Sequence, residues 1–199
     1  MRVQEVFDKF ARDYDEWYEK NRDLYLKELE IIDKPQGLSL EIGVGSGRFA
    51  SKLGIDVGID ISKEMLMMAR ERGVEVIRCD AGKLPFMDNV FEFVYMIFTL
   101  CFLENPEMAI SEAYRVLKNG GKLLVCIIPA DSELGKLYSK KDSPFYRVAK
   151  FFKVEKAKEL LEKNFKVTKI KTRKLLYSDN DFVCFECLKL IKRADYLRV

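Results

Sequence analysis

Leu38-Ser39-Leu40-Glu41-Ile42-Gly43-Val44-Gly45-Ser46-Gly47, followed by Arg48-Phe49-Ala50, is the stretch on which the fold turns. A short apolar run that meets glycines reads as a buried strand entering a turn, and RFASKL after it reads as a helix. Glycines at such a junction let the backbone turn tightly and let a ligand lie against bare amide groups. A pyrophosphate-binding loop would read GxGxxG, but Arg48 stands where the third glycine belongs. The glycines fall instead as GxGxG, with Glu41 two positions ahead. An acid beside the loop repels a pyrophosphate and suits a cationic ligand, so a nicotinamide-dependent oxidoreductase is disfavoured.

Outward from this junction, strands and helices alternate. DVGID is a second short strand. SKEMLMMARERG is a helix with Ser62 as N-cap, a stripe of Met65, Met68 and Ala69, and Gly73 as its stop. VEVIRC and VFEFVYMIFTL read as strands three and four. PEMAISEAYRVLKNGG reads as a helix opened by Pro106 and closed by Asn119-Gly120-Gly121, and GKLLVCIIP as the fifth strand. Repeated alternation with apolar strands means a parallel sheet covered on both faces. Upstream, Val3, Val6, Phe7, Phe10 and Tyr14, then Leu24, Leu26, Leu29 and Ile32, predict two helices ending near Lys34-Pro35. Residues 131–150 break the rhythm with Gly135 and Pro144 and read as an insertion. A helix VEKAKELLEKNF follows, then KVTKIKTRKLLY and DFVCFECLKLI, two antiparallel strands joined by the turn Ser178-Asp179-Asn180. The 199 residues fit a single domain.

Composition narrows the chemistry. Hydrophobic residues make up 48% and charged residues 34%, and the net charge is +3, which gives no reason to expect nucleic acid as a partner. Charges run through the opening MRVQEVFDKFARDYDEW, and no uncharged apolar run reaches about 18 residues, so neither a signal peptide nor a membrane span is expected. The five cysteines, scattered through apolar segments, are expected to be buried thiols in a reducing cytoplasm. Cys184 and Cys187, three apart on one strand, point to opposite faces and do not form a metal site. Histidine is absent, which removes the commonest general base and metal ligand. Glutamine occurs only at Gln4 and Gln36 while Lys and Glu abound, a composition like that of hyperthermophile proteins.

Two carboxylates complete the candidate site. Asp60 ends the second strand, 17 residues after Gly43, where a carboxylate can accept hydrogen bonds from two ribose hydroxyls. Asp80 follows the third strand, where it can accept from an adenine amino group beside the apolar Ala81 and Leu84.

Taken in order, EIGVGSGRFA, VGIDISKEMLMMAR, CDAGKLPFMDNVFEFVY and LENPEMAISEAYRVLKNGGKLLV resemble the successive motifs of class I S-adenosylmethionine-dependent methyltransferases. They most resemble the small-molecule branch that includes the ubiquinone and menaquinone biosynthesis enzymes, and FDKFARDYDEW resembles that branch's N-terminus. The likeness covers about residues 5–130. It implies an α/β, Rossmann-like fold with a mostly parallel seven-stranded sheet, an antiparallel C-terminal hairpin strand and N-terminal lid helices over residues 1–34. It implies S-adenosylmethionine as cofactor and a small-molecule acceptor, with an RNA-modifying methyltransferase or a non-catalytic S-adenosylmethionine-binding module as alternatives. By that resemblance Glu41, Gly43, Gly45 and Gly47 border the methionine end, Asp60 the ribose, and Ile61 and Met65 sandwich adenine with Asp80 and Ala81 at its edge. Backbone near Met96 and Ile97 meets the amino-acid moiety, and Tyr14 and Trp17 lie over the cofactor. Relatives often carry paired histidines before the fourth helix; here MIFTLCFLENP places Thr99, Cys101 and Phe102 there. Together with Trp17, Tyr18 and Tyr146 these are the candidate acceptor-side residues. Methyl transfer from a sulfonium needs positioning and desolvation more than acid–base help. Asp13, Asp15, Tyr14 and Tyr18 are the available stock of bases, and none is assigned.

Overall fold

The structure, a computed structural model, describes residues 1–190. Three short helices open the chain, α1 (Val3–Lys9), α2 (Ala11–Lys20) and α3 (Arg22–Leu29). The sequence pattern predicts two. The breaks fall at Phe10 and Asn21, where the backbone leaves helical geometry (φ/ψ −116/24° and −120/41°), so the three pieces can bend around the sheet. Then follow β1 (Ser39–Ile42), α4 (Arg48–Leu53), β2 (Val57–Asp60), α5 (Lys63–Glu71), β3 (Glu75–Arg78), β4 (Phe91–Ile97), a 3-10 turn at Leu100–Phe102, α6 (Pro106–Val116) and β5 (Leu117–Ile127). The chain ends in α7 (Glu133–Lys140), α8 (Pro144–Val148), α9 (Val154–Glu162), β6 (Lys166–Arg173) and β7 (Phe182–Leu188). Ile191, the last residue of the expected DFVCFECLKLI strand, lies outside the described residues.

The seven strands form one sheet in the order β3-β2-β1-β4-β5-β7-β6. Strands β1 to β5 pair in parallel, while β7 runs antiparallel to both β5 and β6. The chain builds outward from β1 to β3, then returns to place β4 on the other side of β1. That reversal opens a crevice at the carboxyl ends of β1 and β4, where ligands bind in open α/β sheets.

Alternation along the strands divides the core between the two faces. Val94 and Met96 of β4 pack with α6 and α9 residues such as Ile110, Ala113 and Leu161. Tyr95 and Ile97 pack with Tyr25, Phe49, Leu66 and Ala69 from α3, α4 and α5. The edge strands β3 and β6 are mostly exposed and carry charges, as edges that must resist pairing with another chain do. Ser62 caps α5 by accepting from the Met65 N–H at 3.2 Å.

Two expectations need correcting. Asn119-Gly120-Gly121 does not close α6; the helix passes directly into β5, whose pairing jumps from Leu117 to Lys122 opposite Phe91 and Phe93. The glycines lie in that excursion, with Gly120 at φ +78°. Nor are all the cysteines thiols. Cys126 and Cys184 are register partners across β5 and β7 and form a disulfide, while Cys79, Cys101 and Cys187 are free. Cys184 and Cys187 do face opposite sides of the sheet.

Candidate active site

Two adjoining cavities open above the crevice. The larger, about 450 Å³, has Gly43, Gly45, Asp60 and Ile97 from the ends of β1, β2 and β4 in its wall. Gly43, Gly45 and Gly47 all have positive φ, +73°, +53° and +78°, but their reasons differ. A Cβ on Gly43 would fall 2.4 Å from Thr99 Cγ2, and one on Gly47 2.8 Å from the Ala69 backbone, whereas one on Gly45 would meet nothing within 4 Å. The loop is therefore pressed onto its supports at two glycines and bare toward the cavity at the third.

Asp60 is held from behind. Its Oδ2 accepts from Gly45 N–H at 2.9 Å and its Oδ1 from Ser62 N–H at 2.8 Å. Burial raises its pKa despite these bonds. Around it stand Ile61, which is exposed, and Asp80 and Ala81. Asp80 Oδ1 accepts from Gly82 N–H at 2.7 Å.

Of the twelve residues expected around the cofactor, Tyr14, Gly43, Gly45, Asp60, Ile61, Asp80, Ala81 and Ile97 line this cavity. Glu41, Gly47, Met65 and Met96 do not. Met65 and Met96 are fully buried, and Met96 packs in the core on the α6 side of the sheet. Glu41 sits behind the glycine loop, 1% exposed. Burial and then the like charge of Asp60 push its carboxyl well above the usual range, and its Oε2 has no hydrogen-bond partner.

The smaller cavity, about 190 Å³, is aromatic. Trp17, Tyr18, Cys101, Phe102 and Tyr146, five of the six expected acceptor-side residues, line it. Thr99, the sixth, lies instead in the wall of the larger cavity. Its hydroxyl donates to the Ile42 carbonyl at 3.0 Å, which braces Gly43. Tyr14, Phe98 and Phe102 line both cavities and form the wall between them. The N-terminal helices and the 131–150 segment meet over this wall: Phe145 of α8 lies 5.3 Å from both Phe7 and Tyr14, ring centre to ring centre. Tyr138 of α7 stacks on Tyr146 at 4.6 Å.

Two residues here escape a reading of the sequence. Phe98 adopts φ +57°, rare for a bulky side chain and a form of strain concentrated at functional sites. Glu28 of α3 lines the aromatic cavity while only 3% exposed. Its signal is legible: Leu24, Tyr25 and Glu28 share the buried face of α3, so an acid stands in an apolar helical stripe.

The stock of candidate bases is largely committed. Asp15 accepts from Ser46 Oγ at 2.6 Å, Arg48 Nε at 2.7 Å and Arg72 Nη2 at 2.8 Å. The Tyr14 and Tyr18 hydroxyls bond each other at 3.2 Å, and burial raises both phenols, so both are neutral near pH 7. Asp13 stands exposed at the cavity mouth. Among the described residues no group of three or more Cys, Asp or Glu could hold a metal ion, and no helix is long and apolar enough to cross a membrane.

A doubly wound sheet with a glycine loop and a carboxylate at the first two strand ends defines a class of nucleoside-binding α/β enzymes, and comparisons with known proteins narrow it. Residues 40–125 match a family described as a methyltransferase domain. A crystallised S-adenosylmethionine-dependent methyltransferase from Thermotoga maritima, described as a possible histamine N-methyltransferase, is 36% identical. It superposes with a TM-score of 0.86 over 94% of this chain and 100% of its own. An uncharacterised protein of Methanocaldococcus jannaschii is 47% identical over 82% of this chain and 83% of its length. A demethylmenaquinone methyltransferase of Bacillus licheniformis is 28% identical over 67% of this chain and 65% of its length. The chain belongs to the class I S-adenosylmethionine-dependent methyltransferases.

Proposed function

We propose that the larger cavity takes S-adenosylmethionine and that the aromatic cavity takes a small-molecule methyl acceptor. The observation that carries this reading is the shared wall of Tyr14, Phe98 and Phe102. A polar, glycine-floored cavity and an aromatic one meet across three side chains, the arrangement a transfer between two ligands needs.

The cofactor fits the residues present. Gly45 leaves open space over its amide, Asp60 keeps lone pairs for ribose hydroxyls, and Ile61 with Ala81 gives an apolar edge for a planar base beside Asp80. Glu41 stands buried behind the loop with an oxygen that no group among the described residues satisfies. When bound, the cofactor supplies a methyl group on a positively charged sulfur that becomes neutral as the methyl leaves. The protein's part is to hold the two ligands in line and keep water out. The N-terminal helices and residues 131–150 serve as the roof of a single domain.

An acceptor of small size also agrees with the basic strand β6. Lys171 Nζ is paired with Asp33 at 2.5 Å and Glu186 at 2.9 Å, and Arg173 is paired with Glu30. These cations fasten the edge of the sheet to the segment after α3 rather than forming a free face for RNA phosphates.

Calorimetry should detect binding of S-adenosylhomocysteine without added metal, and a labelled-methyl screen against metabolite and RNA fractions should place label in the metabolites. Absence of heat at millimolar ligand overturns the cofactor reading. Label confined to RNA overturns the acceptor reading.

A further inference from the structure

Among the seventeen residues that line the aromatic cavity, Glu28 is out of keeping with its surroundings. Asp13 and Lys141 also line it, but both are exposed at the mouth, where water screens them. Glu28 is inside. Its Oε2 has no partner, so none of the tyrosine hydroxyls around the cavity bonds to it. Tyr14 and Tyr18 bond each other, and Tyr25 donates to the Arg48 carbonyl at 2.7 Å. Tyr138 is stacked on Tyr146. An unpaired buried carboxyl costs stability. It persists where a ligand supplies the missing donor.

Two features of the same cavity say which donor. Tyrosine and tryptophan faces attract a cation by their quadrupole, and Tyr14, Trp17, Tyr18 and Tyr146 surround the space that Glu28 faces. The one buried carboxyl in the wall is that of Glu28, and no buried basic residue stands there to receive an anionic ligand. The cavity, about 190 Å³, exceeds the roughly 150 Å³ apolar void that admits benzene, so a single ring with a short arm fits.

Resting on the two-cavity reading above, we propose that the acceptor is a small amine whose nitrogen is held by the Glu28 carboxyl inside the aromatic cavity. Proton and electron counts close. An entering ammonium gives one proton to the Glu28 carboxylate and regains its lone pair. That pair forms the N–C bond while the C–S bond breaks and its electrons stay on sulfur; the product leaves as a methylammonium, and the proton left on Glu28 passes to water before the next turnover. Burial already pushes the Glu28 carboxyl well above its ordinary range, in keeping with a group that takes a proton from an amine.

Trp17 is the only tryptophan and lines the cavity, so its fluorescence reports directly on occupancy. The probes are 2-phenylethylamine, 2-phenylethanol and 3-phenylpropionate, which present a cation, a neutral group and an anion on similar frames. Each is titrated into the full chain with and without S-adenosylhomocysteine. The wild type should bind the amine at least tenfold more tightly than the alcohol and the carboxylate least. Glu28→Gln should lose at least tenfold for the amine, keep the alcohol, and bind S-adenosylhomocysteine unchanged, with Glu28→Asp restoring part of the preference. A wild type that ranks the alcohol or carboxylate first, or binds no amine at millimolar concentration, overturns the proposal, as does a Glu28→Gln variant with unaltered amine affinity. The wild-type ranking decides the matter even if the variant does not fold. Failure of S-adenosylhomocysteine to bind refutes the cofactor site, while the amine titration tests the acceptor site separately.

Discussion

Replacing Asp15 with asparagine removes one charge and little volume, and it should undock the N-terminal helices from the sheet. The Asp15 side chain is about 10% exposed and joins α2 to the glycine loop and to α4, and also to Arg72 at the end of α5. It receives Arg48 through two nitrogens at 2.7 Å, Ser46 Oγ at 2.6 Å and Arg72 at 2.8 Å. Charge-assisted bonds contribute about 1.5–3 kcal/mol each, but the total must be discounted. Arg48 keeps Glu19 at 2.7 Å and Arg72 keeps the Ser46 carbonyl at 2.8 Å, so neither guanidinium is stranded. We expect a loss of about 3 kcal/mol, the lower end for breaking a buried pair. For a chain of 199 residues this is a Tm lower by about 7 °C. Burial raises the Asp15 pKa, but the bonds from Arg48 and Ser46 and the charge of Arg72 outweigh it and the net shift is downward. A depressed carboxylate stabilises the fold above its unfolded value of about 3.9, and that contribution disappears as pH falls through the folded value. The gap between wild type and variant should thus be constant from pH 7 to about 5 and close below about 4. Thermal melts across that range, with hydrogen exchange of residues 1–25 in the presence and absence of S-adenosylhomocysteine, provide the test. A variant within about 1 kcal/mol of wild type at pH 7, with no faster exchange in α1 and α2, refutes the docking role.

Three further substitutions or treatments probe separate features. Asp60→Asn should weaken S-adenosylhomocysteine binding by about 2–4 kcal/mol through lost charge-assisted bonds to the ribose, and normal affinity by calorimetry would place the ribose elsewhere. It should also lower Tm, since one of the two amides that Asp60 holds, Gly45 or Ser62, loses its acceptor. Gly47→Ala combines φ +78° with a Cβ 2.8 Å from Ala69 Cα, so a destabilisation of about 3 kcal/mol is expected from left-handed strain and overpacking; urea unfolding with an unchanged midpoint would contradict it. Under denaturing, non-reducing conditions alkylation should label Cys79, Cys101 and Cys187 alone, and reduction should cost up to about 4 kcal/mol for a loop closed over 58 residues. Labelling of Cys126 before reduction would show the bond to be absent.

How much of this is legible in the sequence depends on the separation of the residues involved. Strand β1, its glycine loop and helix α4 are contiguous, so their apolar run, turn residues and helical period occur in one window and can be read there. The same holds for β2 with Asp60 and Ser62. Family resemblance assigns Met65 to the adenine, but its side chain is fully buried and lines neither cavity, a consequence of tertiary packing that no window displays. Asn119-Gly120-Gly121 imitates a helix stop because glycines end helices and also fill bulges; only the pairing of Leu117 and Lys122 with β4 distinguishes the two. The disulfide joins residues 58 apart that become neighbours only after β7 inserts beside β5.

The two cavities differ in the same way, and the difference bears on function. The floor of the larger one comes from strand ends that the parallel topology must bring together, because each βαβ unit delivers its carboxyl end to the same edge of the sheet. Val3, Phe7 and Tyr14 of the N-terminal helices close it from the other side. Any chain with these motifs acquires that floor. The aromatic cavity has no such guarantee. Glu28 and Trp17 come from helices before the sheet, Tyr138 and Tyr146 from the insertion after β5, and Phe98 from a strained residue beyond β4. Their meeting depends on how α2, α3, α7 and α8 dock, and the Asp15 network holds α2 in place for it. Changes in those segments can alter the acceptor without touching the glycine loop or Asp60. Substitutions in the aromatic wall should then change which acceptor is methylated while cofactor affinity stays near wild type. Exchanging Tyr146 for phenylalanine, which keeps the ring stacked on Tyr138 and removes only the hydroxyl, is the mildest such change. A variant in which acceptor and cofactor affinities fall together would show that the two cavities are energetically one.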